Sequence, residues 1–556
     1  MNRFGWFSQP FILLIITVIC CCTISCKNLR SVETDTVVIS IRVKDQGFLV
    51  NWKLGNKTPI FEFYGNQGLQ NSRISDWKPI GDEWKFDGKV LSKIHSDEFD
   101  EFSFFIKPTE SLVGGYYAPL AKIDDGWLLH SSSVAPRWSG FKVRFVDILD
   151  DHRVYRSGGS PNKDDQKSDK AEFIFIGPHR QIVTKNFRII ESYSDNKKNE
   201  HFQLKEQMKE SISLFTDRLK TYEIDKPTLI ISYKPELQKA YKGSVSHNTI
   251  AVYIHGYDSD ELDEINDQLS SLITHESFHI WNKSSISQTW LQEGGAEYVA
   301  TRLTMSPGWF LESSQSRLNK CLIVIGHHPM TQSNLARTGQ TPYHCGHFAQ
   351  LIAEVGVLNE TNGDILDIWR ETLSHQAKIN YDLSDFIAAT KDEAGLQTAS
   401  LFETFINGIS SDESSQFVAD LQQLGIKLQK LETSTENKSN LRRSMDVLRI
   451  VIREQCSEGY RIIPEHDSLK IVAKDDCGGL FNEENGVTHL NGINLKFNAY
   501  GAFLKVRDDC QSGRSVNINT KTEETINFPC SIDVLKHPGL YEIVSIKNLN
   551  SMWKNE

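Results

Sequence analysis

The chain has 556 residues, of which 39% are hydrophobic, and a formal net charge of −11 at pH 7. That length allows roughly three or four domains, each with its own core. The acidic balance and the lack of a basic cluster argue against nucleic acid as a partner.

The N-terminus reads as a targeting segment. Arg3 supplies a positive start, and Phe11 to Cys22 is apolar but shorter than a typical membrane span. Thr23-Ile24-Ser25-Cys26 resembles a bacterial lipobox, with Thr23 where Leu is more usual. Residues 1–26 are therefore expected to be a lipoprotein signal peptide. Acylation of Cys26 would anchor the protein to a bacterial membrane, on the periplasmic or cell-surface side. A plain secretory signal or an uncleaved anchor is the alternative. Of the 10 cysteines, Cys20, Cys21 and Cys22 leave with this segment. Beyond Cys26, six remain: Cys321, Cys345, Cys456, Cys477, Cys510 and Cys530. An even number in an exported chain points to disulfides. The simplest pairing joins neighbours: 321 with 345, 456 with 477, and 510 with 530.

Residues 27–36 read as a polar tether. Residues 37–195 carry a β pattern: Val37–Val43, Phe102–Ile106, Phe141–Phe145 and Glu172–Ile176 have strand length or alternation, punctuated by Gly, Asn and Asp. A β-sandwich-like N-terminal domain fits. The polar run Ser157 to Lys170 reads as a loop. Lys197 to Leu219 has helical spacing, and Pro227–Ser232 and Thr249–Ile254 read as strands.

The chemistry concentrates at residues 270–300. Asp258, Ser259 and Asp260 suit a helix N-cap. Leu262, Ile265, Leu269, Leu272 and Ile273 then predict one helix running on through His279. On it stands His275-Glu276-Ser277-Phe278-His279. Residues four apart share a helix face, so both imidazoles can reach one ion. Glu276, offset by one residue, can reach a water beside that ion without displacing it. A catalytic zinc takes three protein ligands and leaves a fourth position open. Glu293, in Trp290-Leu291-Gln292-Glu293-Gly294-Gly295-Ala296-Glu297-Tyr298, is the best candidate for the third. Glu297, one turn further on, could accept a hydrogen bond from the back of a ligand histidine and fix its tautomer.

HExxH followed by this acidic helix start resembles the gluzincin metallopeptidases. His275 to Asn282, with Trp281, is similar to the glycyl-aminopeptidase-like branch that carries a C-terminal PDZ domain. The resemblance implies one zinc ion, with His275, His279 and Glu293 as ligands and Glu276 as base. Thirteen residues separate His279 from Glu293, fewer than is usual in the family. Glu293 suits the motif and Glu297 the spacing, so on sequence the two remain exchangeable. The resemblance also implies a thermolysin-like catalytic domain, residues 196–430, in which Thr249–Ile254 would be an edge strand that pairs with extended substrate. Many aminopeptidases carry a Glu just before that strand to hold the substrate's amine. Gly243 to Asn248 contains none. Thr341-Pro342-Tyr343-His344-Cys345-Gly346 resembles a segment whose tyrosine hydroxyl meets the developing oxyanion, and Tyr343 takes that place.

Beyond the acidic helix, His327 and His328 stand side by side. A second metal there is one reading; solvated or core histidines are the plainer one. His344 and His347 form an HxxH that reads as structural. Phe348–Val355, Asp364–Leu373, Asp385–Ala389 (Ser384 as N-cap), Leu401–Ile409 and Phe417–Leu428 predict a helical lobe. Residues 431–445 read as a linker. In residues 446–556 the strands Leu469–Val472, Val487–Ile493 and Val516–Ile518, with a helix-like Ala499–Val506, faintly resemble a PDZ domain. The expected whole is a multidomain α+β zinc metallopeptidase acting on peptides or proteins. Its rival is a non-catalytic lipoprotein that binds peptide or glycan on a relic fold.

Overall fold

The structure, a computed structural model, describes residues 37–553 except 45, 66, 96, 110–119, 124–125, 138–140, 146–152, 157–171, 186, 193–201, 220–225, 235–237, 247, 283–287, 332–338, 375–380, 434–440, 457–459 and 473–485. The signal segment with Cys26, the tether, the 157–170 loop and Cys477 lie outside the described residues. Two compact units emerge: Met1–Ile182 with Ile190–Asn196 and Ile230–Ala240, and Val183–Ile189 with Lys197–Leu229 and Tyr241–Glu556.

The first unit is β-rich. One sheet has the order Phe141–Phe145, Val37–Lys44, Gly47–Thr58, Phe99–Ile106, Trp77–Pro79. A second has the order Arg153–Arg156, Phe173–Gly177, Gly126–His130, Leu120–Ile123. Alternation in Val37–Lys44 sends Val37, Ile39 and Ile41 inward. One apolar cluster contains residues of both sheets, from Ile39, Val50 and Phe104 to Leu129 and Ile174. At its centre Trp52 stacks on Phe102 at 5.0 Å, and its indole N–H donates to the Val134 carbonyl at 2.9 Å. The fully buried Arg73 lies over Phe63 and Trp77, each 5.2 Å away, and donates to the Ser133 carbonyl at 2.7 Å.

The second unit is largely helical, and it holds every residue named above for chemistry. Asp258 caps a short helix, Ser259–Glu264, through a capping box with Glu261. The predicted single helix is in fact two. The chain leaves helical geometry at Ile265 and resumes as Asn266–Asn282. Apolar spacing runs unbroken across that residue, so periodicity gives no sign of the break. The next helices are Thr289–Thr304, Pro307–Ile325 and Thr341–Glu360. They are followed by Ile365–Ser374 and Leu383–Ile406. The last of these merges two predicted helices across a kink at Gly395, where φ is +80°. Its N-cap is Asp382, not Ser384, because the Asp382 carboxylate accepts from the backbone N–H of both Ser384 and Asp385. The helix predicted over Phe417–Leu428 stops at Leu424, since Gly425 takes the left-handed conformation at φ +115° and a strand, Ile426–Lys430, begins.

That strand pairs with Tyr541–Ile546 near the chain's end. Between them, helices Leu441–Ile452 and Ala499–Gln511 accompany a sheet ordered Arg461–Pro464, Leu469–Val472, Val487–Leu490, Val516–Thr520, Thr525–Phe528. The C-terminal segment lies on Pro307–Ile325. Asn319 donates to the Tyr541 carbonyl at 2.9 Å and accepts from its N–H at 3.0 Å, and His537 Nε2 meets the Leu322 carbonyl at 2.8 Å. The expected disulfides Cys321–Cys345 and Cys510–Cys530 are formed, and Cys456 is also disulfide-bonded. Among the described residues, no helix is long and apolar enough to cross a membrane.

Candidate metal centre

Every residue of the helix Asn266–Asn282 from Ile273 onward is buried. Its far side is locked by Thr274, whose hydroxyl lies 3.1 Å from Ser211 Oγ and accepts from Gln207 at 3.2 Å, and by Phe278 and Trp281 against Phe215. The opposite side presents His275 and His279. Their Nε2 atoms are 3.0 Å apart. Glu293 Oε2, from the helix Thr289–Thr304, lies 3.5 Å from the first and 3.3 Å from the second. Ligand atoms held tetrahedrally about 2.0–2.2 Å from a zinc ion are separated by about 3.3 Å. The three measured separations straddle that value, so the donor set fits zinc in both chemistry and spacing.

The back of each imidazole faces a polar side chain. Glu297 Oε2 is 3.2 Å from His275 Nδ1, and its other oxygen forms an ion pair with Arg317 at 2.6 Å. His279 Nδ1 bonds Asn282 Oδ1 at 2.8 Å. Asn282 is itself held, donating to the Gln292 carbonyl and accepting at its own carbonyl from the Tyr381 hydroxyl. The geometry therefore separates the two acids that sequence left exchangeable. Glu293 faces both Nε2 atoms, and Glu297 stands behind one ring.

Close helix contact makes this convergence happen. Gly294 and Gly346 meet where Thr289–Thr304 crosses Thr341–Glu360. A Cβ on Gly346 would lie 1.9 Å from the Trp290 carbonyl oxygen, and one on Gly294 would lie 2.2 Å from the Gly346 Cα. Backbone touches backbone, so Glu293 and Tyr343 come to the same pocket. The Tyr343 ring stacks on His275, with centroids 5.7 Å apart, and its hydroxyl bonds Glu293. One helix turn or more from that crossing, Arg302 and Glu354 form a buried ion pair at 3.2 Å, with the Tyr298 hydroxyl donating to the same carboxylate. The Cys321–Cys345 bond ties Pro307–Ile325, which carries Arg317, to the helix that carries Tyr343. His347 belongs to the packing: its Nε2 meets Ser314 Oγ at 2.9 Å and its ring lies against Tyr298 and Phe310.

Three carboxylates crowd a buried space. Burial raises Glu276 above the ordinary carboxylate range, against the opposing pull of His275 and His279. Burial would raise Glu293 too, but the imidazoles of His279 and His275 outweigh it and hold this acid below the ordinary range. Arg317 and His275 do the same for Glu297. Burial alone would lower His275, yet Glu293 and Glu297 lift it to about 10. Such a pocket calls for a cation.

Two features were missed in the sequence. The strand at the end of its sheet is Ala240–Ser246, and Thr249–His255 lies inside it, so the expected edge strand is one strand too far along. In that end strand a Cβ on Gly243 would sit 2.6 Å from Glu276 Cγ and 2.8 Å from its Oε1, so only glycine lets the strand pass the acid. The flat polarity of Ala240–Ser246 hid the strand. Arg317 gave no signal at all, since its partner is twenty residues away in sequence and on another helix.

No family model and no curated protein matches the chain. Among solved structures, it is similar in fold to an aminopeptidase N family protein from Idiomarina loihiensis. The TM-score is 0.53 at 11% identity, over 93% of this chain and 99% of that one. An M1 zinc metallopeptidase from Deinococcus radiodurans overlaps with a TM-score of 0.42 at 10% identity, over 68% of this chain and 94% of that one. Yeast LTA4 hydrolase does so at 0.40 and 12%, over 68% and 69%. The first of these shows the fold alone, which in this chain is a β-rich N-terminal part followed by a helical one.

Replacing Gly346 with Ala should cost about 1–3 kcal/mol or more by overpacking, with a lowered denaturation midpoint and weakened zinc retention; unchanged values for both would refute the crossing as the organising contact. His279→Ala should hold one zinc fewer per chain than wild type by metal analysis.

Proposed function

We propose that the chain is a zinc-dependent peptidase that cleaves peptide bonds with Glu276 as general base. The observation that carries this reading is the triangle of His275 Nε2, His279 Nε2 and Glu293 Oε2 with Glu276 buried beside it. Zinc bound there would polarise a carbonyl and lower the pKa of water toward about 7.

The chain's own groups supply the rest. Glu276 takes the proton of the attacking water at its carboxylate and returns it to the leaving amine. Its raised affinity for a proton, a result of burial, suits a group that must accept one and hold it briefly. The Tyr343 hydroxyl, kept protonated because burial and Glu293 both raise it, donates to the developing oxyanion. Asn282 and Glu297 keep the ligand imidazoles from turning. The end strand Ala240–Ser246, passing Glu276 at Gly243, offers main-chain groups to an extended peptide. That strand and the residues up to Asn248 hold no carboxylate to seat a substrate amine, which favours peptides whose N-terminus is blocked or distant.

Finer features belong to the same reading. The motif His275 to Asn282 supports a glycyl-aminopeptidase-like branch, and the strands of residues 461–528 support a PDZ-like tail. The lipobox-like Thr23 to Cys26 supports export and lipid anchoring. Glu276→Gln should keep its zinc and lose peptide hydrolysis by at least about two orders of magnitude, measured on a library of free and N-blocked peptides; full turnover in that variant would reject the base. Cys26→Ala should move the protein from the membrane fraction to the soluble one, and unchanged fractionation would reject the anchor.

A further inference from the structure

His327 and His328 stand just past the helix Pro307–Ile325, which ends at Gly326 with φ +57°. Their backbone is fixed from two sides. The His328 N–H donates to the Ile325 carbonyl at 3.0 Å, and Met330 donates to the Ile406 carbonyl at 2.8 Å. Gly408, at φ +88°, packs so closely that a Cβ there would lie 2.4 Å from the His327 carbonyl oxygen. In this pose the two rings lie side by side, centroids 4.3 Å apart and tilted by 31°, and both face one carboxylate oxygen. His328 Nε2 is 2.7 Å from Asp533 Oδ1, and His327 Nδ1 is 3.9 Å from the same atom. All three donor atoms lie within 4.8 Å of one another.

His327 Nδ1 is buried and has no hydrogen-bond partner among the described residues. A buried polar atom left without a partner is costly to the fold. As a donor it is too far from Oδ1, and as an acceptor it opposes an oxygen already engaged by His328. Two imidazoles and a carboxylate are a donor set that zinc takes. Asp533 is held in place: Arg453 donates to its other oxygen at 2.9 Å and to the Val324 carbonyl at 3.0 Å. Arg453 and Lys536 also bring positive charge beside the cluster.

We propose that His327, His328 and Asp533 form a second zinc site, which staples the C-terminal segment to the end of the helix Pro307–Ile325. Its role is structural. It joins residues 205 positions apart in sequence, where His537 and Tyr541 already seat that segment on the same helix.

The test is a titration of metal-stripped full chain with zinc(II) against a chromophoric chelator, with thermal unfolding alongside. Wild type should take up two ions per chain, and His328→Ala, whose side chain is 39% exposed and safe to truncate, should take up one. Asp533→Asn should match His328→Ala. His279→Ala should keep one ion and gain several degrees in Tm on adding zinc, and His279→Ala with His328→Ala should bind none and gain nothing. Equal stoichiometry in wild type and His328→Ala would overturn the site and leave a hydrogen-bonded His–Asp–Arg tie only. The His279→Ala arm isolates this outcome from the first cluster, because loss of metal chemistry there leaves the His328 comparison intact.

Discussion

One contact between two bare stretches of backbone organises the second unit. Gly294 and Gly346 let helices Thr289–Thr304 and Thr341–Glu360 touch without any side chain between them. Glu293 precedes the first glycine, and Tyr343 lies less than a turn before the second. Their approach is therefore a by-product of a packing choice rather than of attraction between the polar groups. Attraction alone would be a poor architect here, since the pocket holds several acids of like charge. Side-chain packing must force them together, and the buried Arg302–Glu354 pair with the Cys321–Cys345 bond resists the tendency to splay.

The ligand helix shows the complementary strategy. Its two imidazoles that face Glu293 are each backed by a polar side chain. Glu297 stands behind His275 and Asn282 behind His279. The two supports differ in kind. Asn282 is neutral and comes from the same helix, so it fixes direction alone. Glu297 is charged, comes from the neighbouring helix and leans on Arg317, so it also adds negative charge behind the ring. The two imidazoles therefore present unequal basicity to a shared ion.

How much of this was legible in the sequence depends on range. Local patterns carried well: the HExxH spacing, the acidic helix start and the alternation of Val37–Lys44 could each be read from residues within a few turns, while the disulfides, 24 and 20 residues long, followed from pairing neighbouring cysteines. Errors came where a single backbone residue broke a continuous apolar rhythm, as at Ile265, or where a strand lacked one, as at Ala240–Ser246. Groups brought in from afar gave no signal. His327 and His328 left a second metal as the lesser of two readings because Asp533 arrives from the far end of the chain, and Arg317 looked like any helix arginine until the fold set it against Glu297.

The Cys321–Cys345 bond has a consequence for when the centre becomes complete. Both imidazoles and both acids sit on helices it does not touch, whereas Tyr343 is two residues from one of its sulfurs and Arg317 four from the other. A newly made chain with its thiols still reduced would already carry the cluster of imidazoles and acids, but not the covalent brace beside Tyr343 and Arg317. The brace would then form only where the surroundings can oxidise the two thiols.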